Sequence, residues 1–175
     1  TFTVMICSLC LFCGFLVTEK ASAKKTTVKK VSSTLKNGTF TVSGKGKMPE
    51  SAMPKAAQKK KIKKIVIKNG VTELPEDAFR DCSKATVITI APTVSRIGAM
   101  AFYKTGVEKI TISDEVKYIR ENAFNSLLSS TSQKFSIRSV VLNNNIETLP
   151  KYAFAGNKEI KVYTNKEIMI QRYTF

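Results

Sequence analysis

Apolar residues fall into register four times along this chain when the Ala-Phe pairs ending at Phe79, Phe102, Phe124 and Phe154 are superposed. Fourteen and twelve positions before each Phe stand Ile65 and Ile67, Ile88 and Ile90, Ile110 and Ile112, and Val140 and Leu142. Eight and five positions before it stand Val71 and Leu74, Val94 and Ile97, Val116 and Ile119, and Ile146 and Leu149. A leading position holds Ile62, Ala85, Val107 and Ile137, and a fifth, incomplete unit begins at Ile160. The Phe residues are 23, 22 and 30 positions apart. A recurring period of about 20 to 50 residues marks stacked supersecondary units, not one globular core.

Apolar residues two apart project from one face of a strand, because successive strand side chains alternate sides. The pairs therefore predict parallel strands over 64–68, 87–91, 109–113 and 139–143. Turn formers follow each pair: Asn69-Gly70, Pro92-Thr93, Asp114-Glu115 and Asn144-Asn145. A second short extended piece comes next, then a turn of helix that opens with Pro75 or Pro150 in two copies, where a fixed φ and a missing N–H suit the first helical position. Each Ala-Phe folds back beneath its strand, so the four Phe are expected in one interior column. No copy can bury its own apolar face, so neighbouring coils must stack. The fold class this predicts is an α/β solenoid, with short parallel strands on one face and short helical turns on the other. The surplus of the 30-residue spacing falls in 126–136, where five Ser, one Thr and one Gln occur among eleven residues. A protruding loop or helix extension at the coil edge is expected there, with Leu127, Leu128 and Phe135 folded back on the core.

The strand pair, the turn, the V-x-x-I/L step and the A-F pair followed by Cys82 resemble the BspA-type leucine-rich repeats of bacterial surface and secreted proteins, over residues 62–165. The stretch TLKNGTFTVSGKGKMP, Thr34 to Pro49, resembles the segment that precedes such repeats and implies a β-hairpin-like N-terminal cap. Within it Gly44-Lys45-Gly46 reads as a hairpin turn, since no G-K-[ST] ending follows to make a phosphate loop. The resemblance implies adhesion and recognition surfaces for varied ligands. It carries over no functional residue. The chain departs from the family in lacking Trp, in having one Cys after a repeat Phe, and in its longer fourth coil.

Ahead of the repeats, Phe2 to Val17 is almost wholly apolar and is followed by Ala21-Ser22-Ala23, which fits a signal peptide over 1–23 cleaved after Ala23, with an uncleaved anchor as the other reading. The run is short for a spanning helix, so no stable membrane span is expected after cleavage. The chain starts without Met, and a few residues are expected before Thr1. Cys7, Cys10 and Cys13 lie in this segment; Phe12 before Cys13 does not suit lipoprotein cleavage. Cys82 is then the one cysteine of the mature chain, expected as a packed repeat residue with no disulfide partner. The expected divisions are a Lys-rich segment with the capping hairpin over 24–61, repeats over 62–165 and a C-terminal tail over 166–175. Localisation is expected to be secreted or at the cell surface.

Charge is uneven. Residues 24–61 carry eleven Lys and one Glu, whereas 62–175 carry seventeen Lys plus Arg against eleven acids. The run Lys59-Lys60-Lys61 marks a candidate attachment to anionic surfaces, with a plain solvated segment as the other reading. Catalysis has little support, since the chain has no His and so lacks the usual general base and the commonest metal ligand. Glu76-Asp77 and Asp114-Glu115 are adjacent within turns and are not placed to face each other across a cleft. No enzyme, no cofactor and no metal are expected. Two functions remain. One is a recognition module that binds an extracellular protein or glycan through outward strand positions: Lys64, Val66 and Lys68; Val87, Thr89 and Ala91; Lys109, Thr111 and Ser113; Ser139, Val141 and Asn143. The other is a structural spacer held on an anionic wall polymer by its Lys-rich segment. Nucleic acid is not an expected partner, because Phe40 is the one aromatic in the basic region.

Overall fold

The structure, a computed structural model, describes residues 29–126, 137–157 and 160–175. The expected signal segment, the first Lys residues after it, and the packing of Leu127, Leu128 and Phe135 lie outside them. Strand β1 (Ser32–Lys36) pairs antiparallel with β2 (Thr39–Ser43) around Asn37 and Gly38, which take φ of 49° and 75°. A two-residue β3 (Gly46–Lys47), a 3-10 turn at Glu50–Ala52 and a four-residue α1 (Ala56–Lys59) lead into the coils.

Each coil then contributes two strands separated by a corner. They are β4 (Lys64–Ile67) and β5 (Val71–Leu74), β6 (Val87–Ile90) and β7 (Arg96–Ile97), β8 (Lys109–Thr111) and β9 (Tyr118–Ile119), β10 (Ser139–Val141) and β11 (Thr148–Leu149), and β12 (Lys161–Tyr163) and β13 (Met169–Ile170). First strands form one face and second strands another, pairing in parallel with like positions side by side: Phe40, Ile65 and Ile88, or Glu73, Arg96 and Tyr118. The repeat Phe fill the interior. Phe79, Phe102, Phe124 and Phe154 stack with centroids 5.4, 5.3 and 5.2 Å apart, and Phe40 of the hairpin closes one end edge-on at 5.9 Å.

Three expectations are corrected. The segments between second strand and Phe are turns, not helix, so the molecule is a β-solenoid of about five coils and the α/β description does not hold. The residue two before each Phe sits at positive φ: Asp77 56°, Met100 52°, Asn122 59° and Tyr152 57°. That conformation breaks a right-handed helix, and the N–H groups are needed elsewhere. Asp77, Phe79 and Asp81 donate to the carbonyls of Ala99, Ala101 and Tyr103 at 2.9, 2.7 and 2.9 Å, one coil away. Secondly, Gly44–Gly46 is no hairpin turn. It is the corner carrying the chain from β2 on the first face to β3 on the second. Thirdly, the expected tail completes a fifth coil, in which β13 pairs with β11 and the Phe175 ring lies 6.0 Å from Phe154.

Neither face is continuous. On the first, the order β1-β2-β4-β6 stops and β8-β10-β12 begins anew. On the second, β3-β5-β7-β9 stops and β11-β13 begins. The third coil is thus strand-paired to the fourth on one face and to the second on the other.

Candidate functional site

The outward positions of the first face start from the two-residue alternation. In β4 and β6, Ile65, Ile67, Ile88 and Ile90 turn inward, which sends Lys64, Val66, Val87 and Thr89 outward. Lys64, Lys68, Val87, Thr89, Lys109 and Thr111 are exposed; Val66, Ser113, Ser139 and Val141 are half-buried. Two expected ligand positions are not available. Ala91 is buried, and Asn143 is only 5% exposed. The Asn143 side chain is committed to the backbone: its Nδ2 donates to the carbonyls of Val116, at 3.0 Å, and Ser113, and its Oδ1 accepts from the N–H of Asn145 at 2.7 Å and Ile146 at 3.1 Å. An amide that satisfies a corner and ties the fourth coil to the third has no donors left for a ligand.

Thr89, Lys109, Thr111 and Ser113 converge, with Glu108 and residues 86–90, on a cleft of about 640 Å³ where β6 and β8 fail to pair. Lys64, Val66, Lys68 and Val141 lie on the same face outside it. The cleft floor is apolar. Ile88 and Ile90 are only half-buried there, whereas their counterparts Ile65, Ile67, Ile110 and Ile112 are at most 3% exposed. The same two coils stay closed beneath it, at the Phe102–Phe124 stack and where Gly106 meets Ser83: a Cβ on Gly106 would lie 2.5 Å from the Ser83 carbonyl oxygen. The opening is a wedge, shut at the core and open at the strand face.

A second cleft, of about 820 Å³, lies on the other face where β9 and β11 part; it is lined among others by Arg96, Lys117, Tyr118, Arg120 and Glu147. The Arg96 guanidinium sits 4.9 Å from the Tyr118 ring centroid. Sequence reading passed over these residues, although Glu73, Arg96 and Tyr118 occupy one position of the repeat, six before the Phe, and that column was the available signal. Of the basic run, Lys59 ends α1 half-buried and Lys60 and Lys61 are exposed; none of the three forms an ion pair among the described residues. Among the described residues no group of three or more His, Cys, Asp or Glu could hold a metal. Cys82 is fully buried and its thiol is pushed up to about 12 by loss of hydration, the charges of Lys59 and Asp81 acting in opposite senses.

The BspA type leucine rich repeat region model matches residues 54–175 in six copies, and the chain belongs to that family. Its fold is similar to that of a leucine-rich repeat protein from Eubacterium ventriosum, with 20% identity and a TM-score of 0.62 over 82% of this chain and 42% of that one. It also matches the pneumococcal vaccine antigen PcpA, with 22% identity and a TM-score of 0.49 over 69% of this chain and 31% of that one. The chain thus spans less than half the length of either solved structure. No curated protein matches it. The family is one of repeat-based interaction modules, and this chain is one of them.

Proposed function

We propose that the protein is a secreted or surface-displayed recognition module, not an enzyme, which holds an extracellular protein on its first strand face with the wedge between β6 and β8 as the contact centre. One observation carries this reading: at that point alone on the first face, neighbouring strands leave their edges unpaired among the described residues, over two core isoleucines that every other coil of the first four covers. Exposed apolar surface rimmed by Thr, Lys and Glu side chains is the usual composition of a contact patch. Export is supported by the apolar run Phe2 to Val17 with Ala21-Ser22-Ala23 behind it.

The test is capture of partners from extracellular-matrix extract by the full chain and by Thr111→Glu, whose exposed side chain leaves the core untouched. The expected result is a protein retained by the parent and lost with Thr111→Glu, because a carboxylate stripped of water at a contact is costly. A partner held equally by both would remove the strand face from the reading.

A further inference from the structure

We infer that the wedge between β6 and β8 spreads to take an extended segment of the partner polypeptide, added as a strand along the free edge of β6; this rests on the strand-face reading above. A strand edge is a row of backbone donors and acceptors spaced for another backbone, and it templates pairing with any extended chain that reaches it. Here two such edges face each other across one cleft. Among the described residues β6 is bonded on one side only, to β4, and β8 on one side only, to β10. Natural sheets blunt such edges; these are four and three residues long, on coils whose cores remain stacked at 5.3 Å.

The side chains state what the guest carries. Its inward residues meet Ile88 and Ile90, so β-branched or other apolar side chains at alternate positions continue the buried rows running from Ile65 and Ile67. Its outward residues lie in line with Lys64 and Val87 on one wall and Lys109 on the other. An acidic residue there stands between Val87 and Lys109, with Lys64 one strand beyond Val87. The guest is therefore a short acidic and β-branched alternation, Glu-Ile-Thr-Ile in type. A saccharide offers no matching row of amides, and a helix keeps its amides to itself.

The experiment uses the full 175-residue chain with three probes. They are the capped peptide Ac-Thr-Glu-Ile-Thr-Ile-Ser-NH2, the same peptide N-methylated at its non-terminal Thr and at Glu, and chitohexaose. Amide hydrogen exchange is followed residue by residue. The unmodified peptide is expected to slow exchange at least tenfold within 86–90 and 109–111, and the N-methylated peptide, with the same side chains but fewer donors, to lose most of that protection. Equal protection by both peptides would make the wedge a side-chain groove and overturn strand addition. Absence of protection by the unmodified peptide, or protection of these amides by chitohexaose, would also overturn it. The two proposals fail separately: loss of the matrix partner on Thr111→Glu without peptide protection keeps the strand-face reading and ends the inference, whereas retention of the partner ends the reading itself.

Discussion

Phe102 and Phe124 stack at 5.3 Å with their rings 5° from parallel, although the first-face strands of the same two coils do not pair. The rings and the turn ladder beneath them, in which Phe102 N–H donates to the Ala123 carbonyl at 2.8 Å, therefore carry more of this junction than of the coil before it. Between the first and second coils, β4–β6 pairing shares the task. Replacing a buried Phe by Ala costs about 3–5 kcal/mol. Phe102→Ala and Phe79→Ala should both lower stability by amounts of that order. Phe102→Ala alone should divide unfolding into two transitions, with coils on either side of the wedge exchanging at different denaturant concentrations. A single shared transition for Phe102→Ala would contradict this.

Asn157 binds three separated segments at once. Its Nδ2 donates to the carbonyls of Phe124 at 3.0 Å and Phe154 at 2.7 Å, and its Oδ1 accepts from Ile137 N–H at 2.8 Å. Truncation leaves buried backbone groups without partners, at about 1–3 kcal/mol for such a group. Asn157→Ala should lower the melting temperature well beyond Asn144→Ala, an exposed amide. Parity between the two variants in thermal denaturation would show that the bridge contributes nothing.

Gly98 is required for closeness and not for a left-handed backbone. A Cβ there would lie 2.5 Å from the Pro75 carbonyl carbon and oxygen. Gly98→Ala must push the first and second coils apart, with a destabilisation of about 1–3 kcal/mol expected for forced overpacking. Gly46→Ala is the control, since nothing lies within 4 Å of its Cβ and only its φ of 109° is disfavoured. Faster exchange of the β5–β7 amides in Gly98→Ala, and not in Gly46→Ala, is the expected signature.

Cys82 gives the protein a specific response to alkali. Its thiol is raised from the ordinary value of 9.0 to about 12 by burial. The unfolded chain therefore releases this proton at lower pH than the folded one. The associated stability is intact below about pH 9 and declines as pH rises from there toward 12, by up to about 1.4 kcal/mol per pH unit. Cys82→Ala should lose stability to its cavity at neutral pH yet fall less steeply above pH 9. Parallel alkaline slopes in denaturant titrations of parent and variant would refute the assignment.

The Lys-rich entry gives a salt test of the spacer alternative. Screening at ~0.15 M shortens the reach of exposed charges to about 8 Å. If Lys59, Lys60 and Lys61 hold the protein on an anionic wall polymer, replacing all three with Gln should weaken retention on purified polymer and flatten its salt dependence. Capture of a protein partner at the wedge should change mainly in association rate. Retention on polymer that ignores both salt and the triple change would eliminate the anchor.

The period-two pairs and the Phe spacing made the strands and the interior column legible, because both follow from a side chain's direction relative to its own backbone. The turn ladder was not legible. Asp77, Met100, Asn122 and Tyr152 are not glycines, so nothing local announces their positive φ, and their segments bond to carbonyls 20 to 29 residues away. Asn143 looked like an outward strand residue until its amide met the Val116 carbonyl of the preceding coil. The wedge was invisible for a further reason. Ile88 and Ile90 match Ile65 and Ile67 in type and spacing, and what separates them is the neighbour each strand has. Residues such as Thr89 and Thr111 were found as a face, but the place where they gather depends on a missing ladder.

The third coil, paired forward on one face and backward on the other, gives the solenoid a mechanical character. Bending that widens the first face is resisted least between the second and third coils, and bending that widens the second face is resisted least between the third and fourth. Both flexures pivot on the continuous ring column, as two hinges set at opposed sides of one link. A rod built this way yields in either direction under load while its axis stays intact, and a bend that spreads one cleft shuts the other.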